Sequence, residues 1–241
     1  VASMKPGLDN LAFDSRGRLF VTSMTDNGIY LVDKQTGSWR TIVEGKLAIP
    51  ADLAVTTDGA KETVHVADVF SYRNVDGSTG AVTDMLRVHG ETHSYPTGIS
   101  VGPKHTLLSS WFSNTVQKVD RKTGKLVATL ADFMAPVDAL EAADGSVYVA
   151  ELGSGNLVKV SSDGKTRTNV VKGLRAPVAL SQGAGNLVYV TEIAAGAVTQ
   201  IDVASGARKV VADNLAGPEG IDVGPDGKLY VGVGSNSNIA D

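Results

Sequence analysis

Carboxylates recur in step with a series of prolines. Pro50, Pro96, Pro136, Pro177 and Pro218 are spaced 46, 40, 41 and 41 residues apart. The two residues after them read Ala51-Asp52, Thr97-Gly98, Val137-Asp138, Val178-Ala179 and Glu219-Gly220, and Asp9-Asn10 stands at the corresponding place near the N terminus. A second series follows within each unit: Ser23, Asp68, Trp111, Glu151, Glu192 and Val233. Oxygen-rich rings of this kind suit hard cations such as calcium, which takes six to eight oxygens. The same groups suit general acid–base work once one pKa is shifted. A structural role is the alternative for each. Asp52 and Asp138 fall where Gly98 and Gly220 stand in other units, so they can instead point into the fold and bond backbone amides.

Other chemistries are thinly represented. The four histidines are His65, His89, His93 and His105. "HGETH" (89–93) has its Glu in the wrong place for a H-E-x-x-H zinc helix. His89 and His93 precede Pro96, where a solvated loop or a general base are both open, and His93 is taken as a substrate-side candidate. His65 alternates with Val64 and Val66 as a strand residue does, and His105 reads as a turn residue on the far side. There is no G-x-S-x-G nucleophile elbow. "GVGSNSN" (232–238) lacks the G-K-[ST] and following helix of a phosphate loop. Trp111-Phe112 is either a binding platform or filling between structural units. The absence of cysteine rules out disulfides, thiolate metal sites and thiol nucleophiles.

The elements that must position these residues follow from the repeat. "EGIDVGPDGKLYVGV" (219–233) aligns with "VDALEAADGSVYVAE" (137–151), "VALSQGAGNLVYVTE" (178–192) and "DNLAFDSRGRLFVTS" (9–23). The second unit, from Ala51, carries extra residues near "GAKE" (59–62), and the third, "TGISVGPKHTLLSSW" (97–111), lacks the Asp-Gly. Each unit reads as four short strands with a turn between the third and fourth: "DKQTG" (33–37), "DGSTG" (76–80), "DRKTG" (120–124), "DVASG" (202–206), and the variant "SSDG" (161–164). In such a turn the Asp bonds backbone amides and the Gly takes φ > 0. No window holds helical periodicity. A period near 41 residues with four strands per unit predicts an all-β, six-bladed β-propeller. Five repeats are complete, from Leu8 to Gly217, and a sixth from Glu219 is partial. The whole of 1–241 is expected to be one propeller domain. Either the N-terminal segment pairs with the last blade, or flanking strands lie outside this chain. In the first case Asp9 and Glu219 open neighbouring blades and face one channel mouth a few Å apart.

Bulk properties bound the partners. The 241 residues are 42% hydrophobic, with 22 basic against 26 acidic side chains and a net charge of −4. No basic stripe argues for nucleic acid. No apolar run approaches the roughly 18 residues that span a bilayer, so membrane insertion is not expected. The chain starts at Val1 without a signal-peptide pattern, as a processed form or a piece of a longer protein would. Compartment and oligomeric state stay open, with a periplasmic or secreted location the preferred reading.

"PEGIDVGPDGKLYV" (218–231) and "LDNLAFDSRGRLFV" (8–21) resemble the repeats of NHL and SMP-30/gluconolactonase/strictosidine-synthase-like propellers. The resemblance covers nearly the whole chain. It implies a divalent cation, often calcium, at the channel mouth, and lactone or ester hydrolysis with an Asp as general base. Glu219 and Asp9 match the family's ligand positions, while Asn10, Asp52 and Asp138 stand one residue off. Ala51, Val137 and Val178 depart from the pattern, and the His-bearing positions of the lyase relatives are missing. The resulting expectation is a metal held by Glu219, Asp9 and Asn10, with Asp138 or Asp52 activating water. Asp68, Trp111, Glu151, Glu192 and His93 would contact a small-molecule substrate. The alternative is a non-catalytic propeller that binds a small molecule or a protein across its mouth.

Overall fold

The structure, a computed structural model, describes the backbone of residues 2–3, 7–87, 95–234 and 238–240, and the side chains of 7–87 and 95–234. His89 and His93 lie outside these residues. Among the described residues every regular element is a strand, and none is a helix long and apolar enough to cross a membrane.

Six antiparallel four-stranded sheets surround an axis. Blade 1 is Leu8–Phe13, Leu19–Ser23, Gly28–Val32 and Trp39–Val43. Blade 2 is Pro50–Asp58, Lys61–Asp68, Ser71–Asp76 and Val82–Arg87. Blade 3 is Gly98–Val101, His105–Ser110, Thr115–Asp120 and Leu126–Leu130. Blade 4 is Pro136–Glu141, Val147–Glu151, Asn156–Val160 and Arg167–Val171. Blade 5 is Pro177–Gln182, Leu187–Glu192, Ala197–Asp202 and Arg208–Ala212. Blade 6 takes Pro218–Val223, Leu229–Val233 and Asn238–Ala240 from the C terminus, and its outermost strand is Ala2–Ser3. Ala2 pairs with Ile239 and Ser3 with Asn238. The sheet edge that an unfinished blade would leave open is thus paired.

The core lies between blades. Phe20, Ile29 and Val43 of blade 1 pack on Leu53, Val64 and Val66 of blade 2. Leu107 and Val116 of blade 3 pack on Val147 and Val149 of blade 4. Second strands such as Leu19–Ser23 and Val147–Glu151 are buried at every residue. Burying each Val, Leu or Ile contributes about 1.5–3 kcal/mol. The recurrent turns are built as their sequences require. Asp33, Asp76, Asp120 and Asp202 each accept two backbone amides through Oδ1, and the closing glycines have φ between 67° and 74°. His105 opens a strand rather than sitting in a turn; its Nδ1 meets Glu141 Oε1 at 2.5 Å.

Candidate functional site

A β-bulge decides which residues reach the channel mouth. In blades 2, 4 and 5 the proline of the inner strand pairs across the sheet, the next residue is skipped, and pairing resumes one residue later: Pro50 and Asp52, Pro136 and Asp138, Pro177 and Ala179. In blades 1 and 6 the break is wider, between Leu8 and Leu11 and between Pro218 and Ile221, and Asp9 and Glu219 are the first residues within it. The skipped residue is the extra one of the bulge, and a bulge re-aims its side chain. These are the positions of Asp9, Ala51, Val137, Val178 and Glu219, and all five line a cavity of about 480 Å³ at one mouth of the channel.

The residue after the bulge borders the cavity too at Asn10 and Asp52, but its side-chain oxygens are turned onto backbone amides. Asp52 Oδ1 accepts the Leu53 amide at 2.7 Å, and Oδ2 accepts the Ile99 amide of blade 3 at 2.6 Å. Asp138 repeats this with Ala139 and with Leu180 of blade 5, both at 2.7 Å. Asn10 Oδ1 accepts the Leu11 amide at 2.8 Å. Deeper in the channel, Asp222 accepts Val223 and the Phe13 amide of blade 1, each at 2.8 Å. The three aspartates therefore stitch blade 2 to 3, 4 to 5 and 6 to 1. Burial raises all three carboxyls, Asp138 to about 7.

The acids of the second series have a shared task. Asp68 accepts the amides of Ala48 and Ile49 at 2.6–2.9 Å and meets Arg73 at 2.9 Å. Glu151 accepts Met134 N at 3.0 Å, and Glu192 accepts Arg175 N at 2.6 Å. Each fastens the loop that delivers the following proline. That loop needs fastening, since Ala135 and Ala176 are held at φ 51° and 54°. Asp68, Glu151 and Glu192 do not line the mouth cavity, whereas Trp111 does. Trp111 is one step out of register with them: Ser110 is the residue that ends the second strand of blade 3.

Asp9 and Glu219 do come together. Both carboxyls border the same cavity and interact with each other, and the pKa of each is raised, chiefly by burial; at Asp9 the Glu219 charge adds to it. Two carboxylates so placed repel each other, which favours a proton on one of them. Above them stands an apolar collar of which the sequence reading singled out only Trp111 and Phe112. Met24, Val69, Trp111, Leu152 and Ile193 each follow the last residue of a second strand, and all line the cavity with Ile49 and Phe112. Large apolar residues at five loop positions in register were the available signal. In blade 6 the collar position is Gly234. A Cβ there would lie 2.6 Å from Glu219 Oε1, so the missing side chain is what gives Glu219 its room.

The donor set fits a divalent cation only in part. Asp9 and Glu219 are suited to it, but the oxygens of Asn10, Asp52 and Asp138 meant to complete the shell already accept amides. Among the described residues no three His, Cys, Asp or Glu side chains gather around one point. A larger open groove, about 1210 Å³, crosses blades 3–5 on the opposite face. The buried acid beside it, Glu141, is engaged with His105 and the Lys104 amide.

Comparison with known proteins agrees with this architecture. The family described as strictosidine synthase-like, N-terminal, matches residues 205–235, the stretch that holds Glu219 and its strand. No curated protein matches the chain in sequence. Among solved structures, a streptogramin B lyase is similar with a TM-score of 0.74 at 14% identity, over 99% of this chain and 93% of that one. Virginiamycin B lyase from Staphylococcus aureus gives 0.69 at 17%, over 100% and 86%. An auxiliary nutrient binding protein from Bacteroides thetaiotaomicron gives 0.75 at 13%, over 97% and 68%. At these identities the likeness establishes the fold, an all-β propeller of the six-bladed type shared by lyases and binding proteins.

Proposed function

We propose that this chain is a binding propeller whose mouth takes a mainly apolar molecule through one cationic group. The carrying observation is the Asp9–Glu219 pair at the floor of an apolar-walled cavity. Its volume, about 480 Å³, lies within the range of small-molecule sites, which join apolar walls to a few placed polar groups. A ligand cation would take the place of such a proton and relieve the repulsion between two carboxylates. Titration calorimetry with n-hexylamine and n-hexanol tests the reading. The amine should bind at least about tenfold more tightly, in line with a charge-assisted hydrogen bond. Equal affinities would overturn it.

A lactone or ester hydrolase is the second reading. Two features favour it: Asp9 in the mouth with a pKa raised by burial and by Glu219, and Asp138 with a pKa raised to about 7, both suited to acid–base work. In its cation-dependent form Asp9 and Glu219 would hold calcium or magnesium. A lactone and aryl-ester panel assayed with and without added Ca²⁺ separates the two readings. Metal-stimulated turnover that Glu219→Gln abolishes would favour the hydrolase.

A further inference from the structure

We infer that the mouth docks a polypeptide that inserts a lysine or arginine side chain toward Asp9 and Glu219 and lays apolar neighbours on an aromatic ledge beside it. This rests on the binding reading above and names the partner.

Phe70, Tyr95, Phe112 and Trp111 form a line of rings from blade 2 to blade 3. Successive centroids are 6.2, 6.3 and 5.5 Å apart, and each pair meets edge to face. The chain has only 5 Phe, 2 Trp and 6 Tyr, so four rings in one place are a large share of its aromatic surface. Elsewhere such rings serve the core, as Phe20 and Tyr30 do at 0% exposure; these four are 41% to 64% exposed. An exposed apolar cluster of this kind marks an interaction surface more often than ordinary solvent-facing surface.

Position and charge limit what fits. Trp111 and Phe112 wall the mouth cavity, whereas Phe70 and Tyr95 lie outside its lining. The apolar surface therefore continues past the volume that a small molecule in the cavity would cover. The charged residues of the cavity lining are Asp9, Asp52 and Glu219, all acidic, so the complementary group is a cation. Lysine and arginine join a cationic head to an apolar stem. The collar matches the stem and the acid pair matches the head. A small amine would satisfy the floor and leave the ledge in water, while a polypeptide covers both.

Selection of a phage-displayed library of randomised heptapeptides on the full chain tests the inference. Enriched sequences should share one lysine or arginine flanked by aromatic or aliphatic residues. A blocked-end peptide made from them should lose at least about tenfold in affinity, the size of a modest hot spot, when norleucine replaces its basic residue. It should lose as much on the Phe70→Ser/Tyr95→Ser variant. Both of those residues are exposed and outside the cavity lining, so n-hexylamine should bind that variant as it binds the unaltered chain. Selection without a basic residue, or peptide affinity unchanged in the ledge variant, overturns the inference. If n-hexylamine still binds in that case, the small-molecule reading of the mouth survives; if it does not, both fall.

Discussion

Asp9 and Glu219, from opposite ends of the chain, bring their carboxyls together on one cavity where blade 6 meets blade 1. The contact exists because each lies in the register break of its inner strand and because Gly234 leaves Glu219 space. Gly234→Ala would place a methyl group 2.6 Å from Glu219 Oε1, so the carboxyl must move. We expect amine binding to weaken by about tenfold, or about 1.4 kcal/mol, with little change in the unfolding midpoint. Retained affinity would show that the pair is not the anchor.

Stability should fall as pH rises from about 4 to above 7. Asp9, Asp52, Asp138, Asp222 and Glu219 all have raised folded pKa values. The folded state then binds more protons than the unfolded chain, and the stability this gives is lost as pH climbs through the folded values. His65 opposes the trend: its pKa is lowered to about 4, so it favours folding as pH rises toward its ordinary 6.5. The turn aspartates, lowered by backbone amides at Asp33, Asp76 and Asp202 and first by the Thr123 hydroxyl at Asp120, act below the ordinary aspartate value. Five carboxyls against one imidazole leave a net decline. Urea midpoints at pH 5 and pH 8 check it, with the higher expected at pH 5.

Asp138 separates a structural from a catalytic reading. Asp138→Ala leaves the Ala139 and Leu180 amides without their acceptor inside the fold, which costs about 2–4 kcal/mol for two buried donors. Denaturant unfolding should register that loss while n-hexylamine affinity stays put. Unchanged stability with loss of an ester- or lactone-hydrolysing activity would instead identify Asp138 as a base.

Ala135 and Ala176 carry backbone strain that glycine would relieve. At φ 51° and 54° an L residue is disfavoured by about 1–2 kcal/mol, partly offset by the greater chain entropy of glycine. Ala135→Gly and Ala176→Gly should each stabilise by about 0.5 kcal/mol, seen as a raised urea midpoint. Destabilisation would mean that Glu151 and Glu192 hold these loops without strain.

The fold was legible because its signals are local and repeated. Five Asp- or Ser-led turns and five prolines at a near-constant spacing leave little other than a propeller. The pairing of Asp9 with Glu219 was legible as well, given ring closure. The direction of neighbouring side chains was not. One bulged residue separates Glu219, which faces the mouth, from the Asp52 and Asp138 type of position, which faces an adjoining blade. Nothing in the one-dimensional pattern states where the bulge falls. Asp68, Glu151 and Glu192 read as mouth-facing acids because the loops they fasten, 47–49, 133–135 and 174–176, come close only after folding. Apart from Trp111, the collar escaped notice because its members differ in type, from Met24 to Leu152, and agree only in position.

Proton release on binding tests the central claim most directly. If a cation displaces a proton from Asp9 and Glu219, n-hexylamine titrated at several pH values in two buffers of different ionisation enthalpy should show proton release on binding that fades as pH rises through the pair's raised pKa. Glu219→Gln should abolish that release and weaken binding. Amine binding with no difference between the buffers at any pH, or the same release from the variant, would contradict the account.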